Sequence, residues 1–511
     1  MWRRPTDDHR VERIAAYLTD PFAIRNIETD LFRFESTMTS TQPSSSITEG
    51  GLVRPMFELA WPIVVIQLLQ VMYNVADTFW LGRLSSDAVG AMSIAFPLIF
   101  FLISVAGGFT TAGSILVAQF TGADSEGSTG TVAGQILTFV SILAILLAIL
   151  GYFLTDPMLA LIPSQGATTV QVVPLARRYM ETYFLGLPFL FGFFVFTSLM
   201  RGYGNTRTPM RIMMVSVAVN VVLDPVLIFG WGSIDGMGVQ GAALATISAR
   251  AVASALGLYV LFFTSAGPAV RLDDLVPDLD LIWKIVRIGT PSTLEQSTSS
   301  LAMISLTAMV VQFAPPVVSA YGLGNRLASL VFLPAMGLGR ATNTMVGQNL
   351  GARKPDRAER AVWLAAKVGA GVMFTVAIVA VLFPRPIVGV FMATGTQQAD
   401  ATIRLGSQYL RIRSAEFVFM AVLQVLLGAY RGAGNTKLAM AFSMISLWLG
   451  RVPTVYFLAF VRDMGPSGIW IGMAFGNIIG AIVAVLWFTR GTWKRTVIDE
   501  PGVTVADGKG E

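Results

Sequence analysis

Apolar runs of about 20 residues, the length an α-helix needs to cross a bilayer, recur along this chain almost without interruption. Short segments holding most of the Lys, Arg, Pro and Asp separate them. With 54% of its 511 residues hydrophobic and 13% charged, the chain reads as an all-α polytopic membrane protein embedded in a lipid bilayer. Barrel strands would instead show weaker alternating stretches of about ten residues. Twelve transmembrane helices are expected, at 57–81, 88–117, 131–155, 177–200, 208–230, 238–265, 283–312, 317–347, 358–383, 405–430, 437–461 and 466–490. Two of these carry enough polar residues to be clipped by a hydropathy threshold.

The chain has no cysteine, and its single histidine, His9, lies outside every span. Disulfides, thiolate nucleophiles, iron–sulfur clusters and imidazole metal sites are thereby excluded, and no cofactor is expected. Proton or cation chemistry inside the membrane must rest on carboxylates. The net charge of +5 does not indicate nucleic acid, because the basic residues are scattered among loops. They report topology instead. One side collects Arg54, Arg201, Arg207, Arg211, Lys284, Arg287 and others, the opposite side few, so both termini are expected to face the cytoplasm across the cytoplasmic membrane.

Residues 1–50 are charged, unrepetitive and without the apolar core of a signal peptide. They read as a disordered polar extension, most of which a start at Met38 would remove. Residues 491–511 read as a flexible cytoplasmic tail.

The chain also repeats itself. R-G-Y-G-N-T-R-T-P-M from Arg201 returns as R-G-A-G-N-T-K-L-A-M from Arg431, six of ten positions matching at a spacing of 230. V-A-Q-F-T-G from Val117 answers V-G-Q-N-L-G from Val346, and Pro62, opening the first span, answers Pro291 in the seventh. Each copy holds six spans, an even number, so the two lobes share one orientation, related by an axis along the membrane normal. The expected lobes are 51–265 and 283–490, joined by a Pro- and Asp-rich linker at 266–282. The R-G-x-G-N-T turns read as structural: a basic residue that holds the loop inside, glycines for the turn, and Asn-Thr to cap the next helix.

If duplication supplied a scaffold, residues with chemical work are those present in one copy alone. Asp77, in Y-N-V-A-D-T-F-W-L-G, falls opposite Leu306; aligning Pro225 with Pro453 places Val452 opposite Asp224 and Trp448 opposite Asn220. Asn220 and Asp224 lie four apart, on one helical face, and Pro225 leaves the Val221 carbonyl without its helical donor. Tyr73 and Asn74 share the face of Asp77. Each such group costs about 2.5–3.5 kcal/mol if it meets lipid, so they face a cavity or one another. Two carboxylates meeting in a low-dielectric chamber cannot both stay ionised without a cation between them. The competing reading is that each caps a helix end or pairs with a basic residue, but neither span offers a Lys or Arg one turn away.

With these motifs in this order, residues 52–490 resemble the MATE family, the multidrug and toxic compound extrusion transporters. The resemblance implies two six-helix lobes and export of small organic, often cationic, substrates in exchange for H+ or Na+. In its DinF-like prokaryotic branch the coupling site falls on Asp77, Asn220, Asp224 and Thr246, with tyrosines matched by Tyr73 and Tyr179. The NorM-like branch has an aspartate in the tenth span, where this chain has Ala421, so a coupling site in the second lobe is not expected. Glu295, early in the seventh span, is either a second protonatable group facing the cavity or an ordinary first-turn carboxylate; Gln296 beside it is a candidate cavity-lining residue.

A monomeric transporter, not an enzyme, is the expectation. A membrane-embedded hydrolase would be left with an aspartyl dyad alone. The alternative within the superfamily is a flippase for lipids or lipid-linked oligosaccharides, which would gather basic residues in the central cavity; Arg250, Arg326, Arg340 and Arg451 are those to examine.

Overall fold

A computed structural model describes residues 47–160, 171–392 and 397–498. The expected disorder of the extension falls outside these residues up to position 46. Each of the twelve expected spans lies on one helix or one consecutive set of helices. The first half comprises α1 (Val53–Leu84), α2 (Ser86–Gly122), α3 (Glu126–Phe153), the pair α4 (Val173–Leu185) and α5 (Leu187–Tyr203), α6 (Arg207–Phe229) and α7 (Val239–Phe263). The second comprises α8 (Leu279–Val310), α9 (Pro315–Gly351), α10 (Pro355–Leu382), the pair α11 (Gln397–Arg413) and α12 (Phe417–Gly432), α13 (Thr436–Met444) with α14 (Val452–Tyr456), and α15 (Gly465–Phe488). A π-helical segment, Ile445–Arg451, joins α13 to α14. A two-residue ribbon pairs β1 (Gly230–Trp231) with β2 (Ile234–Asp235) between α6 and α7.

The duplication is visible in the helix lengths: α2 and α9 both have 37 residues, α3 and α10 both 28, α1 and α8 both 32. By length and composition, eight helical spans are apolar enough to cross a membrane among the described residues, or nine counting α4 and α5, which meet at 52°. Neither α8 nor α9 meets that test. Both pack between the halves, and Thr298, Ser300, Ser305 and Thr307 of α8 bond to carbonyls one turn back in their own helix.

Several local readings change. Pro62 and Pro291 do not open their helices but lie inside α1 and α8, so Glu295 sits in mid-helix, far from the first turn that would favour a carboxylate. Met56, Leu59 and Ala60, ahead of Pro62, belong to the core of the second half. Leu281, Ile285 and Ile288, ahead of Pro291, belong to the core of the first. Each half thus lends the opening turns of its first helix to the other. The linker is pinned along α3: Gln135 donates to the carbonyls of Asp274 (2.8 Å) and Val276 (2.6 Å), and Asp278 caps α8 by accepting from the Asp280 amide at 2.9 Å.

The repeated turns have a role beyond connection. Gly204 and Gly434, at φ 100° and 77°, take the left-handed conformation that ends a helix, and the Asn205 carboxamide accepts from the Thr208 amide at 3.1 Å to start α6. Arg201, however, does not stand in a loop on the inside; it lies within α5, partly buried, with its carbonyl accepting from Thr344 of the second half at 2.9 Å. Beside it, the two halves join through reciprocal bonds. Gln119 of α2 donates to the Gly432 carbonyl at 2.9 Å, and Gln348 of α9 donates to the Gly202 carbonyl at 2.9 Å. Both glutamines are fully buried. A Cβ on Gly122 would collide with the Gln348 carbonyl, and one on Gly351 with the Gln119 carbonyl. The tail enters this seam as well: Trp493 is buried against Phe488, and the Val497 amide donates to Gln119 Oε1 at 2.9 Å. Residues 491–498 are therefore packed, not a free tail.

Gly122→Leu, which must force the seam apart at an overpacking cost of about 1–3 kcal/mol, is expected to lower the thermal unfolding midpoint. Gly127→Leu, where a Cβ meets nothing, serves as the comparison; equal midpoints for the two variants would show that the seam tolerates separation.

Candidate functional site

Within the first half, α1, α6 and α7 converge on a buried polar chamber. Close packing brings α7 onto α6, since Gly241 abuts the Leu227 backbone and Ser216 donates to the Ala249 carbonyl at 3.1 Å. Asp77, Asn220, Asp224 and Thr246 are each no more than 5% exposed. Thr246 Oγ1 donates to Asp77 Oδ2 at 3.4 Å, and Asn220 Nδ2 to Asp224 Oδ1 at 3.2 Å. The carboxyl groups of Asp77 and Asp224 stand within hydrogen-bonding range of each other, a contact that needs a proton or a cation between them. The structure thus brings together all four residues of the sequence-derived set.

Three acceptor oxygens in this chamber have no protein donor although they are buried: Asp77 Oδ1, Asn220 Oδ1 and Asp224 Oδ2. Buried oxygens without donors are costly. A proton, or a cation that prefers oxygen ligands, would relieve that cost. Among the described residues no group of three or more His, Cys, Asp or Glu side chains is placed to hold a metal ion. Two carboxylates with an amide and a hydroxyl fit H+ or Na+ better than a multivalent metal.

A basic residue does reach the chamber, from a helix that one-turn spacing within α1 and α6 could not reveal. Arg250 of α7, 3% exposed, lies in the electrostatic field of Asp77 and 4.7 Å above the Tyr73 ring. Its Nη2 donates to Gln70 at 2.6 Å. Two carboxylates and one guanidinium leave the chamber with one negative charge. Tyr73 caps the arrangement by donating to the Thr246 carbonyl at 3.2 Å. Tyr179, also buried, stacks on Tyr183 within range of Asp77. Asn74 instead accepts from Gln70 at 3.3 Å and touches the chamber only through it.

Glu295 and Gln296 are elsewhere. Glu295 pairs with Arg431 at 2.6 Å and accepts from Ser443, while Gln296 is exposed and lies against Gly107 of α2. In the second half, the position opposite Asp77 is apolar: Leu306 packs in a cluster with Val310, Tyr409 and Trp470. A buried carboxylate that the sequence reading passed over, Glu416, lies just ahead of α12. Arg413 meets it at 2.5 Å, Arg451 at 4.0 Å, and Asn477 donates to it at 3.0 Å. With two guanidiniums to one carboxylate this cluster carries surplus positive charge, unsuited to a cation. Its only sequence signal was the i, i+3 spacing of Arg413 and Glu416 at the start of an apolar run. Of the arginines a flippase would gather, Arg326 is exposed, Arg250 and Arg451 serve these two separate clusters, and Arg340 donates to Gln67 of α1 at 3.4 Å.

Comparison with known proteins agrees with this architecture. The MatE family pattern matches residues 62–226 and again 291–457, one match in each half. The chain is 28% identical over 472 residues to a probable multidrug resistance protein, YoeA, of Bacillus subtilis, covering 90% of this chain and 98% of that protein. It is 30% identical over 318 residues to an FAD transporter of Shewanella oneidensis, covering 61% and 69%. Among solved structures, a MATE protein in complex with MaL6 superposes with a TM-score of 0.81 at 25% identity, covering 88% of this chain and 98% of that one. A transporter of the MOP superfamily from Pyrococcus furiosus, described as having a binding pocket of reversed polarity, gives 0.81 at 25% identity, covering 90% and 100%. Two family matches on two copies of one helical unit, extending over most of the membrane-embedded chain, place this protein in the MATE family of multidrug and toxic compound extrusion transporters.

Proposed function

We propose that the chain is a monomeric secondary antiporter that exports small organic compounds across the cytoplasmic membrane, driven by inward flow of H+ or Na+ through Asp77, Asn220, Asp224 and Thr246. The observation that carries this reading is the set of three buried oxygens without donors, from Asp77, Asn220 and Asp224, in a chamber holding one surplus negative charge. The drug-resistance names of the relatives support organic cargo. The basic loops favour a cytoplasmic location for both termini and for the seam end. The lobes are taken as 51–265 and 283–490.

The chamber is linked mechanically to the second lobe through α1. Its opening turns are anchored in the second lobe's core by Met56 and Leu59, and its later turns carry Asp77 into the first lobe's chamber. With a cation present, Asp77 and Asp224 draw α1 and α6 together; without one, their charges repel. A shift of Asp77 relative to Asp224 therefore levers α1 against the seam. Cation occupancy favours one arrangement of the lobes, cargo the other, and exchange follows from the difference.

In vesicles with an imposed gradient, Asp77→Asn and Asp224→Asn are each expected to reduce efflux of a fluorescent organic compound to the background rate at wild-type abundance. Unchanged efflux from both variants would rule out this site as the engine. The chamber's single surplus charge predicts one monovalent cation per cycle, so the logarithm of cargo accumulation should rise with slope one against the logarithm of the coupling gradient. Arg250→Gln, which leaves two negative charges, should steepen that slope towards two. Setting H+ and Na+ gradients independently identifies the ion.

A further inference from the structure

The turn arginines point to a second charged site, between the lobes and outside the cation chamber. Arg201 at the end of α5 and Arg431 at the end of α12 both meet α9 one turn beyond Arg340: Thr344 donates to the Arg201 carbonyl at 2.9 Å, and Gly432, next to Arg431, abuts the Asn343 carbonyl. Two come from equivalent positions of the repeat. The third stands eight residues before Gln348, about 12 Å along α9 from the seam at 1.5 Å per residue. Side chains on a helix lean towards its N-terminus. Arg201 and Arg431 therefore reach from the seam back into the protein.

Their contacts agree with that direction. Arg201 donates to Ser114 at 3.3 Å and to Ser198 at 3.2 Å, Arg340 to Gln67 at 3.4 Å, and Arg431 to Glu295 at 2.6 Å. Glu295 is the one carboxylate among the described residues that pairs with any of the three. The cluster therefore holds two surplus positive charges. All three arginines are only partly buried, although they sit at the junction of both lobes. Like charges gathered in a low-dielectric setting repel strongly, and the neutral Ser and Gln acceptors offset little of that.

We propose that Arg201, Arg340 and Arg431 form an anion-binding floor, above the glutamine seam, that receives the phosphate group of the transported compound. Guanidinium forks match phosphate oxygens in pairs. Two surplus charges balance a dianionic phosphate monoester, whereas a carboxylate would neutralise one. A wholly cationic cargo would be repelled at this depth. The inference deepens the transporter reading by naming the chemical class of its cargo, either a soluble phosphorylated compound or a phospholipid headgroup.

The test is equilibrium binding to the purified full chain in phosphatidylcholine nanodiscs with no ion gradient, so its failure would leave the antiport reading standing. The probes are 4-methylumbelliferyl phosphate and its parent 4-methylumbelliferone, read by fluorescence polarisation against empty nanodiscs. The phosphate ester is expected to bind about tenfold or more tightly than the parent, the scale of one charge-assisted bond. Arg201→Gln with Arg340→Gln should remove that preference, and Arg340→Lys, which keeps the charge but not the fork, should retain part of it and guards against loss by misfolding. Competition by pyrophosphate marks a soluble cargo; competition by phosphatidic acid, a lipid phosphate monoester, in the nanodisc marks a headgroup, and either supports the floor. Equal binding of ester and parent, or a preference that survives the glutamine pair, would overturn it and leave the arginines as a barrier that only repels cations.

Discussion

Close contact between α2 and α9 is the constraint on which the remainder of this architecture rests. Two helices carrying Gly122 and Gly351 approach until each backbone occupies the space of the other's missing side chain. Hydrophobic driving force between helices is weak in lipid, so such contact relies on dispersion and on interhelical hydrogen bonds. Gln119 and Gln348 supply those bonds in a symmetric pair. The crossover of the opening turns of α1 and α8 into the opposite cores reinforces the junction. Neither lobe can tilt without disturbing its partner's core.

Set against this symmetry, the chemistry is lopsided. The first lobe buries two carboxylates and a guanidinium around oxygens that lack donors, while its counterpart in the second lobe is Leu306 in an apolar cluster. The second lobe's own buried charges, Arg413, Glu416 and Arg451, have the opposite balance. Duplication fixed the frame, and divergence at a handful of positions gave one lobe a site of negative charge and the other none.

Much of this was legible from residues alone, for reasons that can be named. Spans are legible because lipid forces every backbone polar group into a helix, and the repeat because the turn motifs recur at a nearly constant offset of about 230 residues. Asp77 and Asp224 stood out because an ionisable group in an apolar run has few other reasons to be there. What escaped was orientation. Arg201, next to a turn, has the same one-dimensional signature as a loop arginine, and only the three-dimensional lean of its helix turns it inward. Arg250 escaped as a member of the chamber because it comes from α7, distant in sequence from the Gln70 and Tyr73 of α1 that it meets. Of the two readings of Glu295, the first-turn carboxylate needs a helix that starts near Pro291, and the helix runs through that proline.

The contact between Val497 and Gln119 has a consequence for biosynthesis. The seam acceptor on Gln119 is filled by a residue that follows α15, whereas its counterpart on Gln348 has no protein donor. Both lobes can be inserted while this contact is still missing. Maturation of the junction then waits until the ribosome has released the segment after α15, and a bulky fusion joined ahead of Val497 would hold the transporter in its immature form.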